Sequence, residues 1–231
     1  LLLAHPKIFI GFSDITALTA AITSKTGIVT FSGPGLISFA KPDQFEYTWE
    51  YFKKMCITPH EYLTVQESKD FADDHYFLRE DNDRRIRKAN SGMHVFRSGK
   101  AQGNIVAGNL QTLLLLTGTE YAPNYDDAIL FIEEDESTKP AHFERFICQC
   151  KHLGWFDKIQ GLVIGRFTEY SGFTDDDPLD AILHQYFSNV TFPILTNADF
   201  GHSDPLFTIP HGGWAILDSS DKSITFTQAV E

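Results

Sequence analysis

The stretch KIFIGFSDITAL, residues 7–18, passes from an apolar run into a helical pattern across a very short corner. Ile8, Phe9 and Ile10 read as a buried strand. Ile15, Leu18 and Ile22 then fall at helical spacing, which predicts a helix over 14–26 closed by Gly27. GIVTFSGPG follows as a second strand ending in a Gly-Pro turn. PDQFEYTWEYFKKM, residues 42–55, reads as a helix with Pro42 near its start and Lys53 and Lys54 in its last turn. This β-α-β-α rhythm restricts the N-terminal part to a parallel sheet with helices on its faces, an α/β architecture.

From 59 to 104 the rhythm lapses. The segment is polar and dense in charges of both signs (ESKDFADDHYFLREDNDRRIRK), and it reads either as a solvated linker or as a long loop over a site. Beyond GKAQGNIVAGN the α/β pattern returns. LQTLLLLTG is an apolar helix closed by Gly118, AILFIEEDE a buried strand ending abruptly in acids, and PAHFERFICQCKHLG an amphipathic helix. IQGLVIGRF is a strand and DPLDAILHQYF a helix opened by Asp and Pro. FPILTNADFGH, FTIPHGGWAILD and SITFTQA close the chain as strands. The pattern divides into 1–58, a joining segment 59–104, and a second α/β piece 105–231.

Composition narrows the function classes. A formal net charge of −12 over 231 residues argues against a nucleic-acid partner, because phosphate contacts need clustered Lys and Arg. Three cysteines form no disulfide framework and suit a reducing compartment. Cys148 and Cys150 lie among Phe143, Phe146, Ile147 and Leu153 at helical spacing, which reads as a buried helix face rather than a metal site. With no apolar run of membrane-spanning length and no signal peptide, no membrane partner is expected, and the cytoplasm is the expected location.

Ser13 stands on the corner between strand and helix. Such a corner lifts a hydroxyl clear of the sheet and sets helix N–H groups behind it, as in a nucleophile elbow. GFSDI departs from G-x-S-x-G because Ile15 replaces the second glycine, and Ser13 or Asp14 could equally cap the helix. A nucleophilic serine needs a base and an acid to orient it. Among nine histidines, His202 in DFGHSDP follows a buried strand and is punctuated by Gly and Pro. Glu133 is the first charged residue after five consecutive apolar ones. Each position also has a bland reading: a surface-loop histidine, and a carboxylate marking a strand's exit into solvent.

Taken in order, PKIFIGFSDITAL, GKAQGNIVAGNLQTLLLLTGTEY, AILFIEEDE and DFGHSDPLFTIPHG resemble the LD-carboxypeptidase family of serine peptidases. That family includes muramoyl-tetrapeptide LD-carboxypeptidases and microcin C immunity proteins. The resemblance implies Ser13 as nucleophile, His202 as general base and Glu133 as the acid orienting it. A histidine that must be neutral to accept the Ser13 proton is expected to titrate in the ordinary range, around 6 to 7. The resemblance also implies an N-terminal nucleophile domain and a smaller C-terminal domain supplying Glu and His. The active site would lie in the cleft between them, in a cytoplasmic homodimer that needs no cofactor or metal. The Asp14 N–H is one expected oxyanion donor. The family's second donor comes from a Gly-rich segment upstream of the nucleophile, and nothing before Pro6 matches it. The expectation is therefore an N-terminal domain represented in part, with part of the parallel sheet and one donor missing.

NSGMHVFRSGKAQGNIVAGNLQTL, the long 59–104 segment and FIEEDE look closer to the immunity branch. That branch cleaves an aminoacyl group from a nucleotide and stacks the base on loop aromatics. No Trp falls between Trp49 and Trp155, so stacking would rest on Phe71, Tyr76 and Phe77, with Arg79, Arg84, Arg85 and Arg87 nearby for a phosphate. Those arginines could instead pair with Asp70, Asp73, Asp74, Asp81 and Asp83 on a solvated surface. The expected partner is a small peptide or aminoacyl-nucleotide substrate. A cell-wall LD-carboxypeptidase and a non-catalytic peptide- or nucleotide-binding protein remain the alternatives.

Overall fold

The two continuous apolar runs, 128–133 and 161–165, lie side by side in the middle of the molecule, buried along their whole length. The computed structural model describes residues 1–231 except 41, 42, 44, 59, 60, 82, 177 and 228–231; the side chain of Phe77 also lies outside the described set. In chain order the first elements are β1 (Ile10–Gly11), α1 (Thr16–Thr26), β2 (Thr30–Ser32), α2 (Glu46–Cys56), β3 (Tyr62–Thr64), β4 (Asp70–Phe71), β5 (Lys88–Ala89) and β6 (His94–Arg97). They are followed by β7 (Lys100–Asn109), α3 (Leu110–Leu115), β8 (Ala128–Glu133), α4 (Pro140–His152), β9 (Gly161–Gly165) and α5 (Leu179–Phe187). The chain closes with β10 (Ile194–Ala198), β11 (Ile209–His211), β12 (Trp214–Asp218) and β13 (Ser223–Thr227).

The fold is α/β, as the rhythm of the sequence requires. An eight-stranded sheet has the order β3-β13-β12-β7-β8-β9-β10-β6, and its central strands β7, β8, β9 and β10 run parallel. A three-stranded sheet β1-β2-β11 and a ribbon β4-β5 complete the strands. A parallel strand is buried on both faces, so its residues alternate between two cores. Along β8, Leu130 and Ile132 face α3, α4 and α5, where Leu113, Phe143, Ile147 and Leu183 pack. Ile129 and Phe131 face the opposite core, with Phe31, Tyr51, Met55 and Phe207. Cys150 is fully buried in the first core and its thiol is pushed up by burial, as the helix-face reading expects.

Four readings of the sequence change. GKAQGNIVAGN, to which the sequence pattern assigns no element, supplies a ten-residue strand, β7, that crosses the expected boundary at 104. The segment 59–104 is not structureless: it supplies β3 and β6, the two edges of the large sheet, and the ribbon β4-β5 between them. The helix expected over 42–55 begins at Glu46, and Pro42 lies outside the described residues. The helix closed by Gly27 forms, with Gly27 left-handed at φ 72°, but it buries Thr16, Thr19 and Ala20 and leaves Leu18 52% exposed. Small side chains allow α1 to approach β2 and β7 closely, and Thr23, Thr30 and Thr19 hydrogen-bond across that contact.

Candidate active site

The nucleophile candidate sits on a strained corner. Phe12 is extended at φ −135°, Ser13 is left-handed at φ 58°, and the helical turn Ser13–Ile15 leads straight into α1. A non-glycine residue in that region costs about 1–3 kcal/mol and persists only where its surroundings fix it. Gly11 is part of that fixing, because a Cβ there would lie 2.6 Å from Ile15 Cγ2. On the next turn, the buried Thr16 accepts the Asn109 N–H on its Oγ1 at 3.0 Å, pinning α1 to the carboxyl end of β7. Gly108, at φ 154°, makes this approach possible; a Cβ there would meet Thr16 Cγ2 at 2.3 Å.

Glu133 is the last residue of β8, paired in register with Asn109. His202 follows β10 through the turn Asp199–Gly201. Its Nδ1–H donates to Glu133 Oε2 at 2.6 Å, and the two side chains are 14% and 2% exposed. Glu133 Oε1 is buried with no partner among the described residues. Two glycines clear the space: a Cβ on Gly165 or Gly201 would approach Glu133 Cβ to 3.0 and 2.9 Å. The Phe12 ring meets the imidazole edge-on, with centroids 5.2 Å apart, so the residue before Ser13 touches the histidine. Ser13 Oγ and His202 are not hydrogen-bonded to each other in this structure, a contact often loose in the absence of substrate. Thus all three residues expected from sequence gather at the carboxyl ends of parallel strands, where ligands bind in open α/β sheets.

The imidazole of His202 is not ordinary. Burial lowers its pKa, but the charge and hydrogen bond of Glu133, together with Asp135 and Glu136, outweigh that and raise it to about 9. The sequence expectation of a near-ordinary value fails because it does not include three carboxylates converging on one imidazole. Asp14 is exposed. Its N–H belongs to the first helical turn, where N–H groups have no intrahelical acceptor.

The expected stacking residues are already engaged. The Arg166 guanidinium lies over the Phe71 ring at 4.5 Å, with Lys88 Nζ at 5.8 Å, and Arg85 lies over Tyr76 at 4.9 Å. Phe77 falls in the turn Tyr76–Leu78, its side chain outside the described residues. Three of the nearby arginines are ion-paired: Arg79 with Asp74 and Asp81, Arg85 with Asp74 and Asp204, Arg87 with Asp43 and Asp70. Arg84 is exposed. Arg79 and Arg87 match the surface-pairing alternative more closely than a cradle for phosphate, whereas Arg85 pairs with Asp74 and Asp204 in a buried cluster.

They also reveal what sequence reasoning missed. The 68–90 segment is clamped onto the turn that carries His202. Ala72 and Asp204 exchange backbone hydrogen bonds at 2.7 and 2.9 Å, and Arg85 reaches Asp204 Oδ2 at 2.5 Å. Asp199, 3% exposed, accepts Arg166 Nη2 at 2.5 Å, the Ser68 N–H at 2.7 Å and Ser68 Oγ at 2.8 Å. The acid in NADF was a visible signal; its partners come from 33 and 131 residues away.

Comparison with known proteins places the chain in a family. The model of the LD-carboxypeptidase C-terminal domain matches residues 102–217, and that of the LD-carboxypeptidase N-terminal domain matches 1–33. The MccF-like protein of Bacillus anthracis is 38% identical and superposes with a TM-score of 0.90, over 98% of this chain and 69% of that one. The chain belongs to the LD-carboxypeptidase family. Another member, YocD of Bacillus subtilis, is 39% identical over 93% of this chain and 65% of its own length. Microcin C7 self immunity protein MccF in complex with aspartyl sulfamoyl adenosine is 30% identical at a TM-score of 0.88, covering 100% of this chain and 70% of that one. The chain spans about 65% of the length of the curated family members it matches first. Among the described residues, no helix is long and apolar enough to cross a membrane.

Proposed function

We propose that this LD-carboxypeptidase family chain carries a Ser13–His202–Glu133 hydrolase centre that cleaves an amide-type bond between an aminoacyl group and a nucleotide-like leaving group. The observation that carries the reading is the 2.6 Å Glu133–His202 pair beside a left-handed serine whose neighbour touches the imidazole. Neutral His202 takes the Ser13 proton as Oγ bonds to the carbonyl carbon. Glu133 holds Nδ1–H and balances the imidazolium that forms. The Asp14 N–H donates to the developing oxyanion. The imidazolium then protonates the leaving nitrogen as its bond to carbon breaks. Water, deprotonated by the same imidazole, releases the acid from Ser13.

The substrate class is supported by the MccF neighbour whose ligand is aspartyl sulfamoyl adenosine. With Arg79, Arg85 and Arg87 already paired, recognition would rest on the base and the aminoacyl end rather than on phosphate. The division into a nucleophile domain 1–58, a joining segment 59–104 and a C-terminal domain 105–231 belongs to the same reading, supported by the spans of the two family models. A cytoplasmic homodimer is its expected setting, on the family likeness.

Hydrolysis of aspartyl sulfamoyl adenosine and of an L,D-tetrapeptide by the complete protein, followed side by side, tests the proposal. The expected result is a higher kcat/KM for the nucleotide, abolished by Ser13→Ala. Hydrolysis that survives Ser13→Ala overturns the centre. A preference for the tetrapeptide that is unchanged in Phe71→Ala and Tyr76→Ala variants moves the chain to the cell-wall branch.

A further inference from the structure

The second acid of the FIEEDE run has no role in the triad, yet it is as deeply buried as the first. Glu134 is 2% exposed at the carboxyl end of β8. Its Oε1 accepts the Gln111 N–H at 2.7 Å, in the first turn of α3. Its Oε2 accepts Thr138 Oγ1 at 2.8 Å and Asn109 Nδ2 at a longer 3.4 Å. Asn109, 5% exposed, is held again by the Thr112 N–H and hydroxyl, both donating to its Oδ1 at 3.0 and 2.9 Å. The backbone N–H of the same Asn109 donates to Thr16 Oγ1 at 3.0 Å, and Thr16 lies one helical turn beyond Ser13.

One continuous chain of buried groups therefore runs from the strand that carries the acid to the helix that carries the nucleophile: Glu134, Asn109, Thr16. Resting on the triad reading above, we propose that Glu134 is a positioning residue that holds Asn109, and through it Thr16, so that the Ser13 corner is set against the Glu133–His202 pair. Neighbouring acids divide the work: Glu133 orients the base, and Glu134 orients the helix bearing the nucleophile. A carboxyl group suits the post because its three hydrogen-bond partners in this chain, Gln111 N–H, Thr138 Oγ1 and Asn109 Nδ2, all donate to its oxygens.

That chemistry selects the variant. In Glu134→Gln the amide oxygen can still accept from Gln111, and the Thr138 hydroxyl can turn to accept from the amide nitrogen. The Asn109 amide then faces a donor, so that one link is broken selectively. Thr16→Val breaks the next link at nearly constant shape, and Thr16→Ser preserves its hydroxyl. The complete protein is assayed with aspartyl sulfamoyl adenosine and with an L,D-tetrapeptide, using whichever is cleaved faster, and Tm is recorded for each variant.

Glu134→Gln and Thr16→Val are each expected to lower kcat about 10-fold with KM within about twofold of wild type, and Thr16→Ser to restore it. The double variant is expected to be no worse than about the poorer single one, because both remove the same constraint. A kcat within twofold of wild type in folded Glu134→Gln overturns the inference, as does a double variant whose losses multiply. A loss confined to Tm, with kcat per folded molecule unchanged, assigns Glu134 a purely structural role and also overturns it. If the wild-type protein cleaves neither substrate, the triad reading fails, and this inference fails with it.

Discussion

Replacing Glu133 by Gln separates the two services that a carboxylate gives a catalytic histidine. The pair lies 2.6 Å apart with little solvent, and the Glu133 charge is the largest influence raising His202 to about 9 from 6.5. Each unit of pKa is worth about 1.36 kcal/mol, so the acids stabilise the imidazolium by about 3 kcal/mol net of burial. That stabilisation acts on the free enzyme and on the transition state alike. In the wild type at pH 7, only about 1% of His202 is neutral and able to accept a proton. kcat/KM should therefore climb about tenfold per pH unit from 6 and level off near 9. In Glu133→Gln the pKa falls back towards its ordinary value and the plateau arrives near pH 7.5. The plateau itself drops by about 10²-fold, since about 3 kcal/mol of transition-state stabilisation is lost at about 1.4 kcal/mol per factor of ten. The two effects nearly cancel at pH 7, where the variant should retain activity within about an order of magnitude, and they separate fully at pH 9. The assay is kcat/KM from pH 5.5 to 10 for both proteins, with circular dichroism to confirm folding. A wild-type profile already flat at pH 7, or a variant whose apparent pKa stays near 9, would refute the reasoning.

Three further outcomes follow from the same geometry. Gly201→Ala sets a Cβ 2.9 Å from Glu133 Oε2 at φ 108°, so it should cost about 1–3 kcal/mol of stability and displace the acid, lowering kcat/KM at least tenfold; denaturant melts and kinetics check both. Asp199→Ala leaves Arg166 charged, 4% exposed and without its carboxylate, so a loss of about 3–5 kcal/mol is expected in urea unfolding. Burial, with Glu133 and Asp135 adding to it, raises the Glu134 carboxyl from 4.5 to about 7. The folded state thus binds the extra proton, and the contribution is fully present below pH 4.5 and lost as pH rises through 7. The unfolding free energy of wild type minus that of Glu134→Gln should accordingly fall by about 3 kcal/mol across that window.

How much of this was legible depended on whether a residue's signal was local. Strands β8 and β9 announced themselves as apolar runs, and Ser13 and Glu133 each stand just past an apolar run, whereas His202 follows the mixed strand β10. Strand β7 did not announce itself, because Gly103 and Gly108 interrupt its apolar pattern. Both glycines are instead demanded by close approach, a Cβ on Gly103 falling 2.0 Å from the Asp127 carbonyl oxygen. Strands β3 and β6 are short edge strands with exposed residues, and nothing in YLT or HVFR distinguishes them from loop. Phe71 and Tyr76 looked like free aromatic platforms because the cation on Phe71 comes from Arg166, far along the chain. The helix over 16–26 was found by its period, yet the wrong face was chosen, since threonines pack where bulk would not fit.

The ends of the large sheet carry a consequence for assembly. Edge strand β3 is hydrogen-bonded to β13, where Thr64 and Thr225 hydroxyls meet across 161 residues of chain. Edge strand β6 is laid against β10 at the opposite end. The stretch between these strands, bearing Phe71, Tyr76 and Arg85, is thus strung like a bowstring from one margin of the sheet to the other. Contacts between residues so distant in sequence form late, because their loop entropy is spent before they return anything. The stretch is held at both ends only when β3 has paired with β13 and β6 with β10.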